Sequence, residues 1–246
     1  MNGKIGDYQQ QEEGISIHDK KAVAAGVRKW WTKNIIFLVL VGAILFIASG
    51  KLNWWMAWAY LSAMVLIVIA NAIAMDPTLL AERSQLQEGT KKWDVALAGF
   101  VAVLGPLSMW LIAGLDIRFE WSQEMPLPLQ IVALVFVVLG GLLATWSMAS
   151  NQFFSATVRI QTDRNHGVVT QGPYQYVRHP GYTGGIISML MTPIALGSWV
   201  ALIPGVLVAS GYIVRTSLED KVLQEELEGY QDYGKETRYR LFPGIW

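Results

Sequence analysis

The chain has 246 residues, of which 53% are hydrophobic and only 15% charged, and its 19 Lys+Arg balance 19 Asp+Glu. A soluble domain carries about 25% charged residues, so this composition excludes a disordered chain, a basic nucleic-acid binder and a low-complexity fibre. The absence of cysteine excludes disulfide scaffolds, thiolate metal sites and thiol nucleophiles.

Residues 1–33 form a polar tail, unlike a cleavable signal sequence. Its end, residues 20–31, has the composition of an interfacial helix. Five windows without any Asp, Glu, Lys or Arg follow, at 34–50, 52–75, 95–115, 125–158 and 179–214. About 20 helical residues cross a hydrocarbon core of about 30 Å, so each window predicts at least one membrane helix. Trp30, Trp31, Trp54, Trp55, Trp58 and Trp93 stand at window edges, where an interfacial aromatic belt is expected. Between the second and third windows, Asp76-Pro77-Thr78 opens a short amphipathic stretch that is expected to run to about Gln87.

The last window is too long for one crossing, since its 36 residues make a helix of about 54 Å. Pro193, Gly197 and Ser198 supply a break and turn. Two helices at about 181–196 and 199–214 then form a tight hairpin. The fold class expected is all-α and polytopic: about six transmembrane helices, the last two a hairpin, followed by a cytoplasmic helix. Six spans put 17 of the 19 Lys+Arg on one side and leave Lys51 and Arg118 on the other. The positive-inside rule assigns the crowded side, with both termini, to the cytoplasm of a cell inner or plasma membrane. Three regions result: the tail 1–33, a four-span region 34–150, and a polar-rich region 151–246. Gly181-x-x-x-Gly185 permits close helix approach.

Polar chemistry concentrates in the last hundred residues, as two blocks. The first runs from Thr170 through Gly172, Pro173, Tyr174, Arg178, His179 and Pro180 to Tyr182, and ends where the hairpin enters the bilayer. Pro180 suits a first helical turn. The free N–H groups there, with Arg178 and His179, make a donor-rich pocket for a carboxylate or phosphate, although an interface anchor is the plainer reading. The second block, 215–234, continues the second hairpin helix out of the membrane until Gly234 stops it. On such a helix Arg215, Glu219, Val222, Glu226 and Tyr230 share one face. Arg215 and Glu219 alone would be an ordinary i, i+4 surface pair. The hairpin brings both blocks to one depth, and that juxtaposition describes a site better than two independent anchors. The ending 238–246 is expected to fold back as an amphipathic cover. With three His and no Cys, a metal site is not expected. Walker loops, Gly-x-Gly-x-x-Gly motifs and nucleophile elbows are absent from the sequence.

Together the blocks resemble the isoprenylcysteine carboxyl methyltransferase family and related membrane phospholipid methyltransferases. The resemblance is carried by Gly172-Pro-Tyr174, Val177-Arg-His-Pro180 with Tyr182 and Gly184, then Arg215, Glu219-Asp220 and Leu223. Tyr230, Tyr233 and the Arg-Tyr-Arg-Leu-x-Pro-Gly-Ile-Trp ending complete it. Asn151-Gln-Phe-Phe and 163–170 resemble bacterial members. Coverage is about residues 145–246, with weaker similarity from Asp76 to Arg83. Asp220 departs from the family's usual second glutamate.

The resemblance implies S-adenosylmethionine as cofactor, bound by Val169, Thr170, Gly172, Pro173, Tyr174, Arg178, His179, Pro180, Tyr182 and Glu219. It implies Arg215 and Glu219 as catalytic residues and Arg215, Asn151 and Tyr230 as contacts of a lipid-like acceptor. The expected reaction is carboxyl O-methylation of an isoprenoid or prenylcysteine-like acid. Phospholipid or lipid-amine N-methylation is the alternative, with Glu219 as base. A sterol-reductase-like enzyme shares the Arg-His-Pro-x-Tyr element, but Glu219-Asp220 would repel a nicotinamide dinucleotide's phosphates. A transporter or scaffold fits least, because the central spans offer no polar relay. Membrane lipid is the expected surrounding partner, and nucleic acid and metal are not expected partners.

Overall fold

The computed structural model describes residues 17–83 and 89–246, and every described element is helical. The helices are α1 (Ile17–Ser49), α2 (Trp55–Ala74), α3 (Pro77–Glu82), α4 (Lys92–Phe119), α5 (Leu127–Ser150), α6 (Pro180–Ala195), α7 (Leu202–Glu226) and α8 (Tyr230–Glu236). A π-helical turn, Phe100–Leu104, lies within α4. Residues 1–16 of the polar tail and 84–88 of the amphipathic stretch lie outside the described residues.

Four helices have the length and apolarity of a membrane crossing: Lys20–Ser49 within α1, α2, α4 and α5. Their outer faces carry large aliphatic side chains such as Val39, Ile47, Leu66, Ile73 and Val132, all at least half exposed. On a soluble protein such a surface would be an aggregation liability; against lipid it is the expected covering. The chain is an integral membrane protein. Residues 20–31 are not a separate interfacial helix, because α1 runs unbroken from Ile17 to Ser49. The expected aromatic belt is also incomplete: Trp55 and Trp58 face outward, whereas Trp30 and Trp54 are buried. Trp30 packs among Met75, Leu79 and Leu80, and Trp54 joins the central core of Leu45, Met56, Tyr60, Met109, Trp110 and Val137.

Between the second and third crossings, α3 begins as expected at Asp76. Its carboxylate accepts from the Thr78 N–H at 2.7 Å, a cap that stabilises a helix by about 1 kcal/mol.

The final apolar run doubles back into α6 and α7, packed side by side. The turn is longer than expected, because α6 ends at Ala195, residues 196–201 form the bend and α7 starts at Leu202. Gly197 adopts a left-handed backbone (φ +79°). Asp116, at the end of α4, accepts hydrogen bonds from Ser198 Oγ, from Ser122 Oγ at 2.6 Å and from the Ser122 N–H at 2.7 Å. A buried carboxylate therefore pins the hairpin tip. The first arm is short: 16 residues make about 24 Å of helix, less than the ~30 Å hydrocarbon core.

The other arm face is set by glycines. A Cβ on Gly184 would stand 2.3 Å from the Gly140 carbonyl oxygen, so α5 and α6 touch backbone to backbone there. Gly181 and Gly185, the pair singled out in the sequence, instead accommodate the rings of Phe154 and Tyr212.

The second arm does not continue to Gly234. α7 ends at Glu226, Gly229 takes a left-handed conformation (φ +80°), and α8 starts afresh at Tyr230. The reversal returns Tyr230 toward α7 rather than carrying it further along the Arg215 face.

Candidate active site

The two polar blocks meet at the base of the hairpin, around a cavity of about 780 Å³ including its mouth. Its walls come from the α5–α6 loop, the start of α6, the polar half of α7, and α8. Asn151, Val169, Tyr174, Arg178, His179, Tyr182, Glu219 and Tyr230 line it; Thr170, Gly172, Pro173, Pro180 and Arg215 do not.

The residues outside the lining shape it. Gly172 sits at φ +61°, and a Cβ there would stand 2.5 Å from Ser150 Oγ, so the loop crosses tightly over the end of α5. Pro173 and Tyr174 then form a 3-10 turn. The Tyr174 hydroxyl accepts from Asn151 Nδ2 at 3.2 Å and donates to the Ser147 carbonyl at 3.3 Å. Asn151 Oδ1 accepts from the Phe153 N–H at 2.8 Å. Both ends of Asn151 are thus engaged in holding the wall. Thr170 is exposed. Pro180 opens α6 as its first residue.

Asp220 is the hub of this region, and the sequence reading did not assign it a site role. It is fully buried. Arg178 donates to it twice, Nε to Oδ1 at 2.8 Å and Nη2 to Oδ2 at 3.0 Å. Arg240 Nε, Gln224 Nε2 and the Tyr230 hydroxyl donate at 2.8, 2.8 and 2.9 Å, with His179 Nε2 at 3.2 Å. Burial alone would raise the carboxyl's pKa, but the hydrogen bonds and charges of His179, Arg178 and Arg240 outweigh it and hold the group well below the usual carboxylate range. Burial, with the Asp220 charge beside it, pushes the Tyr230 phenol up. Arg178 spends its Nη1 hydrogens on the carbonyls of Thr237 and Arg238, at 2.9 and 2.8 Å. Four of its five N–H donors are therefore used inside the protein. The signal available in the sequence was arithmetic: Arg178, His179 and Arg240 are a cationic excess that needs a buried counter-charge.

The same cluster ties down the end of the chain. Arg178 and His179 N–H groups donate to the carbonyls of Tyr239 and Arg240, both at 2.9 Å, and Thr183 Oγ1 donates to Leu241 at 2.7 Å. Arg240 also stacks on Trp246, 4.9 Å from the ring centroid. The ending folds back over α6 and α7 as expected, with Leu241, Phe242 and Trp246 packed on Tyr182, Ile186 and Tyr212.

Arg215 and Glu219 do not pair with each other. Glu219 accepts a hydrogen bond from the Tyr182 hydroxyl through Oε2 and faces the cavity with Oε1 unengaged. Arg215 is buried and forks onto Asp94, Nε to Oδ1 at 2.7 Å and Nη2 to Oδ2 at 2.9 Å. Its guanidinium lies 5.2 Å from the Tyr182 ring centroid, and Nη2 also donates to the Ala156 carbonyl at 2.8 Å. Asp94 is fully buried and accepts from the Val158 N–H at 2.7 Å. It too was missed, although its place in the sequence, immediately before a 21-residue charge-free window, marks an acid at a membrane boundary that needs a partner. Tyr182 therefore stands between a carboxylate on the cavity side and a guanidinium behind it.

Two more features bear on the chemistry. Phe153, Phe154, Tyr174 and Tyr233 give the cavity aromatic walls. His166, at its edge, is pushed down in pKa by burial and by the charges of Arg159 and Arg164. Among the described residues no group of three or more His, Cys, Asp or Glu is arranged to hold a metal ion.

Residues 129–229, which contain most of this site, match the family model described as phospholipid methyltransferase. Over 73 residues the chain is 41% identical to a protein-S-isoprenylcysteine O-methyltransferase of Schizosaccharomyces pombe, covering 29% of this chain and 31% of that protein. Over 104 residues it is 29% identical to protein-S-isoprenylcysteine O-methyltransferase B of Arabidopsis thaliana, covering 42% of this chain and 50% of that one. Over these stretches the chain is similar to isoprenylcysteine carboxyl methyltransferases. The aligned stretches span between about a third and a half of those relatives' lengths. Within the family match lie Glu219, Tyr182, Arg215 and the Asp220 hub; Asp94 and the ending 230–246 lie outside it.

Proposed function

We propose that this protein is an S-adenosylmethionine-dependent methyltransferase that esterifies the carboxylate of an isoprenoid or prenylcysteine-like lipid. The observation that carries the reading is the Glu219–Tyr182–Arg215 arrangement, an open carboxylate facing the cavity and a buried guanidinium on the far side of one phenol ring. The donor set suits the cofactor. Its amino-acid end needs an anionic partner, which Glu219 supplies, and hydrogen-bonding groups, which His179 and Tyr182 supply. Its purine needs flat apolar walls, which Phe153, Phe154 and Tyr233 supply. Val169 and Tyr174 close the remaining sides.

When bound, the cofactor supplies a methyl group on a sulfonium, and transfer forms an O–CH₃ bond as the S–CH₃ bond breaks to leave a thioether. The protein's own residues have little covalent work to do. An ionised acceptor carboxylate is already a nucleophile at neutral pH, so no side chain need remove a proton. Arg215, held rigid by Asp94, retains the two N–H groups of Nη1 for that carboxylate. Fixing the acceptor in line can supply about 7–11 kcal/mol of barrier reduction. The C-terminal cover and the aromatic walls exclude water.

On this reading the cavity opens at the cytoplasmic surface and both termini share that side. Support comes from the 17 of 19 Lys+Arg that six passes would collect there. The family model's description favours a second reading, N-methylation of a phospholipid amine, in which Glu219 would act as base. Transfer of a labelled methyl group from S-adenosylmethionine into a lipid extract separates the two. Base-labile label, released as methanol, supports the ester; base-stable label establishes methylamine formation and overturns the carboxylate reading.

A further inference from the structure

α1 is longer than a crossing requires. Its 33 residues make a helix of about 50 Å, and about 20 of them suffice to span the hydrocarbon. Counted back from Ser49, the crossing ends near Trp30, so the first turns of α1 stand outside the hydrocarbon. α3 packs against that overhang: a Cβ on Gly26 would stand 2.5 Å from Ala81 Cβ, and Trp30 sits among Met75, Leu79 and Leu80. Beside this contact runs a groove of about 1200 Å³ including its open side, lined on α1 by Lys20, Ala24, Val27, Arg28 and Trp31 and on the other side by Asp76. The α1 positions recur at three- and four-residue spacing, one face of the helix, so polarity changes along the groove in a fixed order. Trp31 and Val27 lie at the hydrocarbon end, Arg28 just beyond it, and Lys20 at the outer rim. The lining is net positive, with two cations against one carboxylate. Asp76 is already engaged: its Oδ1 accepts from the Thr78 N–H at 2.7 Å and from Thr78 Oγ1 at 2.6 Å. The surroundings add to the positive field, because residues 20–33 also carry Lys21, Lys29 and Lys33, and no Asp or Glu occurs from 20 to 75. A molecule that is apolar at one end and carries a single negative charge next to it matches this order and neutralises the lining.

We propose that this groove binds an anionic membrane phospholipid, one with a single phosphodiester and an uncharged headgroup, as in phosphatidylglycerol. Arg28 would take the phosphate, for which a guanidinium fork is well shaped. The headgroup would extend toward Lys20, and the start of the acyl chains would lie on Val27 and Trp31, the latter a side chain suited to the bilayer interface. A choline or ethanolamine headgroup would instead bring a second positive charge to a lining that is already net positive. The groove shares no lining residue with the methyl-transfer cavity, and the proposal does not rest on the esterification.

The test titrates the purified full chain in detergent, without S-adenosylmethionine, with the dioctanoyl forms of phosphatidylglycerol, phosphatidylcholine and phosphatidylethanolamine and with chain-free glycerophosphoglycerol. Phosphatidylglycerol should bind about fivefold or more tighter than the choline lipid, and about tenfold tighter than glycerophosphoglycerol, which lacks the chains that Val27 and Trp31 would cover. Arg28→Gln should weaken phosphatidylglycerol binding about fivefold, the factor carried by one basic residue at an anionic surface. Ala24→Trp, which fills the groove and keeps every charge, should weaken it at least as much. Lys29→Gln, at a position that does not line the groove, should stay close to wild type. All three positions are exposed, so the variants should melt at the wild-type temperature. Equal losses in Arg28→Gln and Lys29→Gln, or no loss in Ala24→Trp, would overturn the site in favour of a diffuse basic surface. Glycerophosphoglycerol binding as tightly as the lipid, or the choline lipid as tightly as phosphatidylglycerol, would overturn an anionic lipid as the occupant. Tighter binding of the ethanolamine lipid would do the same, and would assign its ammonium to Asp76.

Discussion

Asp94→Asn is the perturbation that the geometry makes sharpest. The substitution is nearly isosteric but removes the charge opposite a guanidinium that is itself only 6% exposed, while Asp94 is fully buried. It also leaves a single oxygen where two now serve three donors: Arg215 Nε, Arg215 Nη2 and the Val158 N–H. Breaking a buried pair from one side costs about 3–5 kcal/mol, because the remaining charge is stranded. At about 2–4 °C per kcal/mol for a chain of this size, the melting temperature of detergent-solubilised protein should fall by roughly 10 °C. Methyl transfer should fall as well, since Arg215 loses its fixed orientation. A double variant, Asp94→Leu with Arg215→Met, separates the two effects. Replacing a buried ion pair by apolar groups of similar size is often neutral or stabilising, so stability should recover while transfer does not. An Asp94→Asn protein that melts within 2 °C of wild type would refute the claim that this pair is desolvated and holds the loop at Val158.

Other outcomes follow from the same contacts. Asp220→Asn should release residues 238–246, read as faster proteolysis of the ending and weaker cofactor binding; unchanged cleavage would count against the hub. Because the Asp220 pKa is lowered on folding, its stabilisation is complete above the unfolded value near 4 and is lost as pH falls below it. Melting temperatures should thus be flat in this respect above pH 5 and decline below pH 4, and the decline should shrink in Asp220→Asn. Gly184→Leu should prevent assembly of α5 on α6 and abolish folded monomer in gel filtration, since even a Cβ would meet the Gly140 carbonyl at 2.3 Å. Tyr182→Phe removes the hydroxyl that holds Glu219 and should weaken cofactor binding about tenfold, the value of one hydrogen bond to a charged group.

What the sequence made legible, and what it hid, divides by the range of the physics involved. The crossings follow from uninterrupted apolar windows, and the hairpin from a window too long for one pass with Pro193 and Gly197 in its middle; both are local signals. The meeting of Tyr182 with Glu219 followed from the hairpin, because it needs only two ends of one turn. Asp94 could not be paired with Arg215 in this way, since 121 residues separate them and the i, i+4 spacing offered Glu219 as a nearer partner. The break at Gly229 was hidden for a similar reason. Apart from Gly229 the residues from 226 to 233 suit a helix, and the reversal is rewarded by distant partners: the Tyr230 hydroxyl meets buried Asp220, the Tyr233 hydroxyl donates to the Tyr174 carbonyl, and Tyr230 and Tyr233 pack with Tyr174 and Leu227. Trp30 and Trp54 show that an aromatic side chain at a window edge reports depth in the membrane, not which way the ring faces.

The central claim is that the cavity under the hairpin holds the methyl donor through Glu219. Calorimetric titration of purified protein with S-adenosylmethionine, wild type beside Glu219→Ala, tests it most directly. The expected result is micromolar binding in wild type and none in a variant that melts at the wild-type temperature. Undiminished binding by folded Glu219→Ala would contradict it.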